Sequence, residues 1–370
     1  MSQFIAKPTI HRLESVKDFA DAFAIGKGDL LVTNGHFYTD YFESLQLECD
    51  VIHPKKYGAG EPSDEMVEAL LADIHTDYDR IIAVGGGSVL DVAKFLVLEQ
   101  ASPILDLFDK KITPVKARKL VLVPTTCGTG SEVTSVAALA LKSRGTKAGF
   151  GDPALFPDDA VLIPELLKGL PFEPFATSSI DALIHAVESA LSPKATAISR
   201  LLSYEAITLI LKGYKAIEAE GPEARFPLLE DFLWASTYAG IAFSNAGCAA
   251  VHALSYPLGG TFHVPHGESN YAMFTGVMKN YMEIQQEGEI AILNKRIADI
   301  IGCDTENVYN ALETLLNVLV QKKALHEYGM TEAQIGEFAD SVFEKQQRLL
   351  VNNFVPFDRD RIYKIYKELY

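Results

Sequence analysis

At 370 residues the chain exceeds what a single ordinary core organises, so two domains are expected. Hydrophobic residues make up 48% and charged residues 22%, the balance of a soluble globular protein. A formal net charge of −16 argues against nucleic acid and against an anionic membrane surface as partners, but not against a small anionic substrate gripped by local groups.

The first half alternates short apolar runs with amphipathic stretches. Residues 29–33, 50–53, 80–84, 119–123 and 160–163 read as strands, and residues 62–75 and 88–100 have helical periodicity. Strands alternating with helices predict a mainly parallel, doubly wound sheet. Residues 133–141 and 147–150, with Arg144-Gly145 between them, predict an added hairpin. Pro164, Pro171 and Pro174 then punctuate the chain, and the pattern turns helical: residues 199–219, 230–244, 287–301 and 305–322 carry apolar residues at spacings of three and four. The expected division falls near 165–175, with an α/β domain over 1–170, an all-helical domain over 171–370 and a cleft between them.

The cysteines Cys49, Cys127, Cys248 and Cys303 are scattered and form no Cys-x-x-Cys pair, which suits a reducing cytoplasm rather than a disulfide framework or a cysteine zinc site. Met1-Ser2-Gln3-Phe4-Ile5-Ala6-Lys7-Pro8 lacks a continuous apolar core, and no stretch approaches a membrane span. A cytoplasmic protein is the expectation.

Two loops carry the signature of a nucleotide site. The strand at 80–84 runs into Gly85-Gly86-Gly87-Ser88, and the strand at 119–123 into Pro124-Thr125-Thr126-Cys127-Gly128-Thr129-Gly130-Ser131-Glu132. Glycines at a strand-to-helix junction let backbone approach a ligand, and the amides of the following helix favour a phosphate. Neither loop is a Gly-x-Gly-x-x-Gly fingerprint or a Gly-Lys-Ser/Thr phosphate loop, so tight turns and ordinary capping are the bland alternatives. Two such loops at the carboxyl ends of neighbouring strands lie where open α/β sheets bind ligands, which predicts a pyrophosphate site.

The second half holds a set of metal-ligand residues. Asp181 and His185, four apart, share one face of a helix, and Thr177, Ser178 and Ser179 are N-cap candidates that place Asp181 in its first turn. There an acid would also suit the helix dipole without any metal. Glu188 is a candidate to hold an imidazole tautomer. His252, with His263 or His266, would complete a set of nitrogen and oxygen donors for a divalent metal, and spacing alone does not choose between the last two. A metal beside a dinucleotide suggests hydride transfer, for which iron and zinc both serve.

These residues resemble the iron-containing (group III) alcohol dehydrogenases over essentially the whole chain, through Gly85-Gly86-Gly87-Ser88 with Asp91 and Lys94, the Thr125–Glu132 loop, Asp181-x-x-x-His185, and His252 with His266-Gly267. Residues 56–66, 253–257, 262–268 and 347–353 look closer still to the members acting on ω-hydroxy acids. The resemblance implies an NAD cofactor, one divalent metal (Fe(II) or Zn(II)) and a homodimer. It implies Asp181, His185, His252 and His266 as metal ligands. Cofactor contacts are implied at Gly86, Gly87, Ser88, Asp91, Thr125, Thr126, Thr129, Thr134 and Lys147.

Two positions depart from the family pattern. Many relatives carry a second His four residues after the first of the His252 cluster, where this chain has Tyr256. That leaves Tyr256 to orient or relay, with His263 or a water as the other proton carrier. Many relatives also end the first cofactor-domain strand with an Asp that holds the adenosine ribose, where this chain has Asn34, so NADP is not excluded. A hydroxy-acid substrate would need a partner for its far carboxylate, and Arg348 is one candidate, a solvated helix face being the alternative. The expected activity is interconversion of a ω-hydroxy acid and its semialdehyde, with a simple primary alcohol, diol or lactaldehyde as the alternative. A dehydroquinate-synthase-like lyase would want a Lys/Arg cluster for phosphate, and between Asp181 and Arg200 only Lys194 is available. A non-catalytic nucleotide binder would have no use for the Asp-His set.

Overall fold

The computed structural model describes residues 3–58, 60–74 and 77–370; Met1-Ser2 of the opening segment, Ala59 of the 56–66 stretch and His75 of the 62–75 helix lie outside them. The chain divides into two compact units, Ala6–Leu170 and Pro171–Tyr370, the second joined by the residues up to Ile5. Ile5 is tied there by both backbone groups: its N–H donates to Asn245 Oδ1 at 2.6 Å and its carbonyl accepts from Asn245 Nδ2 at 2.9 Å.

The first unit is an α/β layer structure. Its strands are β1 (Thr9–Arg12), β2 (Asp29–Thr33), β3 (Asp50–Ile52), β4 (Arg80–Gly85), β5 (Lys119–Pro124), β6 (Val136–Leu141), β7 (Thr146–Gly151) and β8 (Asp159–Leu162). Its helices are α1 (Val16–Ala22), α2 (Gly35–Phe37), α3 (Asp64–Asp73), α4 (Gly87–Leu96) and α5 (Ile104–Phe108). Six strands form a parallel sheet in the order β1-β8-β5-β4-β2-β3, and β6 and β7 form the separate antiparallel hairpin.

The strands alternate between two cores, as the period of two requires. Leu30, Val32, Ile81, Ala83, Leu120 and Leu122 face α3, α4 and the hairpin residues Ala137, Leu139 and Leu141. Leu31, Ile82, Val84, Val121 and Val123 face Val16, Phe19 and Phe42 on the other side. Burial on both faces explains why these strands read as continuous apolar runs. β1 was not expected: it is short, half-buried and at the sheet edge, so it carries no such run.

From β2 the chain moves outward to β3 on one side, and from β4 it moves to β5 on the other. The loops after β2 and β4 therefore diverge, the arrangement that opens a ligand crevice at the carboxyl ends of an α/β sheet.

The second unit is all helical among its described residues: α6 (Phe172–Leu191), α7 (Ala197–Glu220), α8 (Leu229–Ala246), α9 (Ala250–Phe262), α10 (His266–Ile284), α11 (Glu289–Ile301), α12 (Val308–Leu319), α13 (Glu332–Lys345), α14 (Gln347–Leu350) and α15 (Arg359–Leu369). α6 lies at its centre, against α7, α8 and α10, and every residue from Ser179 to Leu191 is buried. A helix apolar all round belongs in a core, so the acids and imidazole it carries there are costly unless partnered.

α6 begins at Phe172, which corrects the expected start. Asp181 sits mid-helix rather than in the first turn, and the helix-dipole account of it fails. Pro171 is the N-cap and Pro174 falls in the first turn, where its missing N–H costs nothing. Thr177, Ser178 and Ser179 cap nothing; their hydroxyls bond back to the carbonyls of Glu173, Phe175 and Ala176.

Candidate metal centre and cofactor loops

Three segments of the helical unit bring four donors together. α6 supplies Asp181 and His185, α9 supplies His252 and the first residue of α10 is His266. Asp181, His185 and His252 are buried and His266 is partly open. His252 Nε2 lies 3.0 Å from His185 Nε2 and 3.7 Å from Asp181 Oδ1; His266 Nε2 lies 3.9 Å from Asp181 Oδ1, and His185 Nδ1 lies 3.9 Å from Asp181 Oδ2. Tetrahedral donors at ~2.1 Å from one ion are about 3.4 Å apart. Asp181, His252 and His266 each offer one donor atom within 4.8 Å of the other two, close enough to share a divalent cation, and His185 reaches the group through His252. One carboxylate and three imidazoles form a nitrogen and oxygen set suited to iron or zinc.

Asn270 stands one turn after His266 on α10 and donates to Asp181 Oδ1 at 2.7 Å, while its own Oδ1 is buried without a partner. Burial works against the Asp181 carboxylate, yet His185, His266 and His252, with the Asn270 hydrogen bond, together carry its pKa below the usual carboxylate range. Phe243 of α8 stacks on His185 with ring centroids 4.3 Å apart, covering one side of the site.

Glu188, one turn beyond His185, holds the centre from behind. Its carboxylate accepts from the backbone N–H of Ala249 at 2.8 Å and of Val251 at 2.6 Å, and meets His252 Nδ1 at 2.6 Å. A carboxylate only accepts, so His252 Nδ1 carries the hydrogen and Nε2 presents its lone pair to the other donors. Burial pulls the His252 pKa down, and Glu188 together with Asp181 more than reverses that.

Gly267 sets how close α10 comes to α6. A Cβ there would stand 2.2 Å from the Thr177 carbonyl oxygen, so only glycine permits the contact that presents His266 to Asp181. His263 is exposed at the end of α9 in the left-handed conformation, with φ of 56°, and is not among the clustered donors. Sequence reasoning passed over Cys248, whose sulfur lies within 4.8 Å of His185 and His252 donor atoms, and Asn270, which the i, i+4 spacing from His266 could have flagged. Burial, Glu188 and Asp181 push the Cys248 thiol well up, against the thiolate form a metal takes.

Tyr256 lies beside the cluster, its ring centroid 6.3 Å from that of His266, and its hydroxyl is 3.4 Å from Arg348 Nη2. Burial pushes its pKa up, so the phenol stays protonated at neutral pH.

In the α/β unit the two loops touch. Thr125 N–H donates to Gly85 O at 3.0 Å, a Cβ on Gly86 would come 3.4 Å from Thr126, and one on Gly87 would come 2.7 Å from Thr129. Gly86 caps α4, Gly87 opens it, and Ser88 is exposed in its first turn. Asn34 follows β2 as the N-cap of α2, with its Oδ1 buried and unpartnered. Asp91 and Thr134 instead meet the fully buried Lys94, whose Nζ donates to Ser131 Oγ, Thr134 Oγ1 and the Val136 carbonyl at 2.6–3.0 Å; Asp91 accepts from Ser131 Oγ and Ala138 N. These two residues thus fasten the second loop to α4. Lys147, on β7, pairs with Glu61 at 2.7 Å.

Residues 9–164 match the iron-containing alcohol dehydrogenase family and residues 175–370 its C-terminal part. The chain is 49% identical over 364 residues, 98% of both chains, to 4-hydroxybutyrate dehydrogenase of Clostridium kluyveri. It is 32% identical over 375 residues to sulfoacetaldehyde reductase of Bilophila wadsworthia, covering 97% of this chain and 96% of that one. Among solved structures it resembles sulfoacetaldehyde reductase from Bifidobacterium kashiwanohense in complex with NAD+, with TM-score 0.84 and 25% identity over 100% of this chain and 98% of that one.

Proposed function

The chain belongs to the iron-containing alcohol dehydrogenase family, and on that premise we propose that it interconverts 4-hydroxybutyrate and succinate semialdehyde with NAD as hydride carrier and one divalent metal. The likeness to 4-hydroxybutyrate dehydrogenase over nearly the whole length of both chains carries the substrate assignment. Asp181, His252 and His266 place one donor atom each within 4.8 Å of one another, with His185 Nε2 3.0 Å from His252 Nε2, and this clustering supports the metal.

In this reading Asp181, His185, His252 and His266 hold the ion, Glu188 fixes the His252 tautomer and Asn270 steadies Asp181. An ion held there would supply Lewis acidity, and a bound nicotinamide would supply the hydride chemistry. The amides at Gly86, Gly87 and Ser88 and the hydroxyls of Thr125, Thr126 and Thr129 would receive the dinucleotide phosphates, and Asn34 Oδ1 would accept from the adenosine ribose. Oxidation of the alcohol also releases one proton. Tyr256, kept protonated by burial, orients groups near His266 rather than acting as base, and the proton passes to water. Asp91 and Thr134 act on the cofactor by holding the second loop to α4, and Lys147, paired with Glu61, would contact the cofactor directly. His263 falls outside the donor cluster and has no step here.

We also place the protein in the cytoplasm as a homodimer. None of the described helices is long and apolar enough to cross a membrane.

The test is anaerobic purification, metal restoration with iron or zinc, and NADH consumption with succinate semialdehyde, butyraldehyde and lactaldehyde. A clear preference for succinate semialdehyde is expected. Equal rates with all three would overturn the assignment.

A further inference from the structure

We propose that Arg348 is the specificity-determining residue that receives the substrate's far carboxylate, with Tyr256 as its positioning partner. The inference rests on the hydroxy-acid reading above, which names no residue for that group.

Arg348 lies on the short helix α14, exposed, with its guanidinium turned to the Tyr256 hydroxyl at 3.4 Å. Among the described residues no carboxylate lies within ion-pair distance of it. Every other arginine has a carboxylate within 4.0 Å, except Arg296, which lies over the Tyr204 ring at 4.3 Å. In so acidic a chain, an arginine left without an acid beside a candidate active centre is available for an external one.

The segment carrying Arg348 is built onto the metal centre. Asn352 is buried, and its Nδ2 donates to the Cys248 carbonyl at 2.8 Å and faces the Arg348 carbonyl at 3.3 Å. A Cβ on Gly247 would stand 2.4 Å from the same Nδ2, so Gly247 is what lets the segment come this close. Cys248 in turn has its sulfur beside the His185 and His252 donors. Burial raises the Tyr256 hydroxyl and the Cys248 thiol, and the Arg348 charge opposes it at both.

Tyr256 meets the guanidinium through its hydroxyl, and its ring centroid is 6.3 Å from that of His266. A four-carbon hydroxy acid spans roughly 6 Å between its hydroxyl and carboxylate oxygens. That length is of the order of the 6.3 Å between the Tyr256 and His266 rings, and the Arg348 guanidinium lies at the Tyr256 hydroxyl. A planar guanidinium offers two parallel N–H donors, which match a carboxylate and have nothing to grip on a methyl terminus.

The test compares succinate semialdehyde with butyraldehyde, which has the same length and no carboxylate, on the metal-loaded enzyme. Arg348→Ala is expected to raise KM for succinate semialdehyde by roughly 10- to 150-fold while leaving KM for butyraldehyde and for NADH within about twofold. Arg348→Lys should recover part of the loss, because a point charge replaces the fork. A variant that keeps the wild-type preference overturns the proposal, and so does one that weakens both aldehydes alike, since a structural role would not choose between them. If the wild-type enzyme shows no preference, the hydroxy-acid reading itself fails. That outcome is read before any Arg348 variant is made.

Discussion

Glu188 and His252 meet at 2.6 Å through a carboxylate that also accepts two backbone N–H groups at the start of α9. One buried acid therefore sets both the position of that helix start and the tautomer of a candidate ligand. Neither role would be visible from the ligands alone.

Replacing Glu188 by Gln keeps the size but removes the charge and one acceptor. Metal affinity should fall by 10- to 100-fold, measured as iron or zinc retained through dialysis against a graded chelator. Glu188→Ala should go further, because it strands the donors of Ala249, Val251 and His252, and should destabilise the fold by ~3 kcal/mol or more. Unchanged metal retention in Glu188→Gln would remove the acid from the centre.

His266 and His263 are three residues apart, and the structure separates them by a turn. His266→Ala should lose bound metal and activity together, while His263→Ala should keep its metal, both read by elemental analysis of the purified protein. Metal content responding the other way round would show the ligand set to be wrong.

What separated these histidines is also what the sequence concealed. The β strands were legible because burial on both faces writes continuous apolar runs, and Asp181 with His185 was legible because four residues make one helical turn. α9 was hidden by Pro257, Gly259 and Gly260 inside it, and the His-x-x-His spacing is equally compatible with either residue. Only the left-handed turn at His263 and the close approach at Gly267 send His266 to the donors. The start of α6 was misread because Thr177, Ser178 and Ser179 are good caps in isolation, and only packing shows their hydroxyls bonded within the helix. Cys248 joins the neighbourhood through tertiary contacts, which no local pattern encodes, whereas Asn270 stands one helical turn from His266 and was open to being read from that spacing.

Gly267→Ala tests that close approach directly. A methyl 2.2 Å from the Thr177 oxygen must push α10 off α6, since the obstacle is backbone rather than a flexible side chain. Destabilisation of about 1–3 kcal/mol is expected from overpacking of this kind, with metal content falling because His266 moves with the helix. Chemical denaturation and metal analysis on the same sample check both halves. A stable variant that still binds metal would mean that the helix can shift without carrying its histidine away.

Asn34 allows a test of cofactor choice in the α/β unit. Its buried Oδ1 has no partner, so it is free to accept one ribose hydroxyl, yet the amide carries no charge to repel a 2′-phosphate. The present chain should therefore use NADPH measurably, and Asn34→Asp should lower kcat/KM for NADPH by about tenfold or more through like-charge repulsion while changing that for NADH by less than about threefold. Steady-state rates with both reduced cofactors at fixed aldehyde give the two ratios. If the substitution leaves the NADPH/NADH ratio where it was, Asn34 does not face the adenosine ribose, and the dinucleotide is oriented by the Gly86 and Thr125 loops without it.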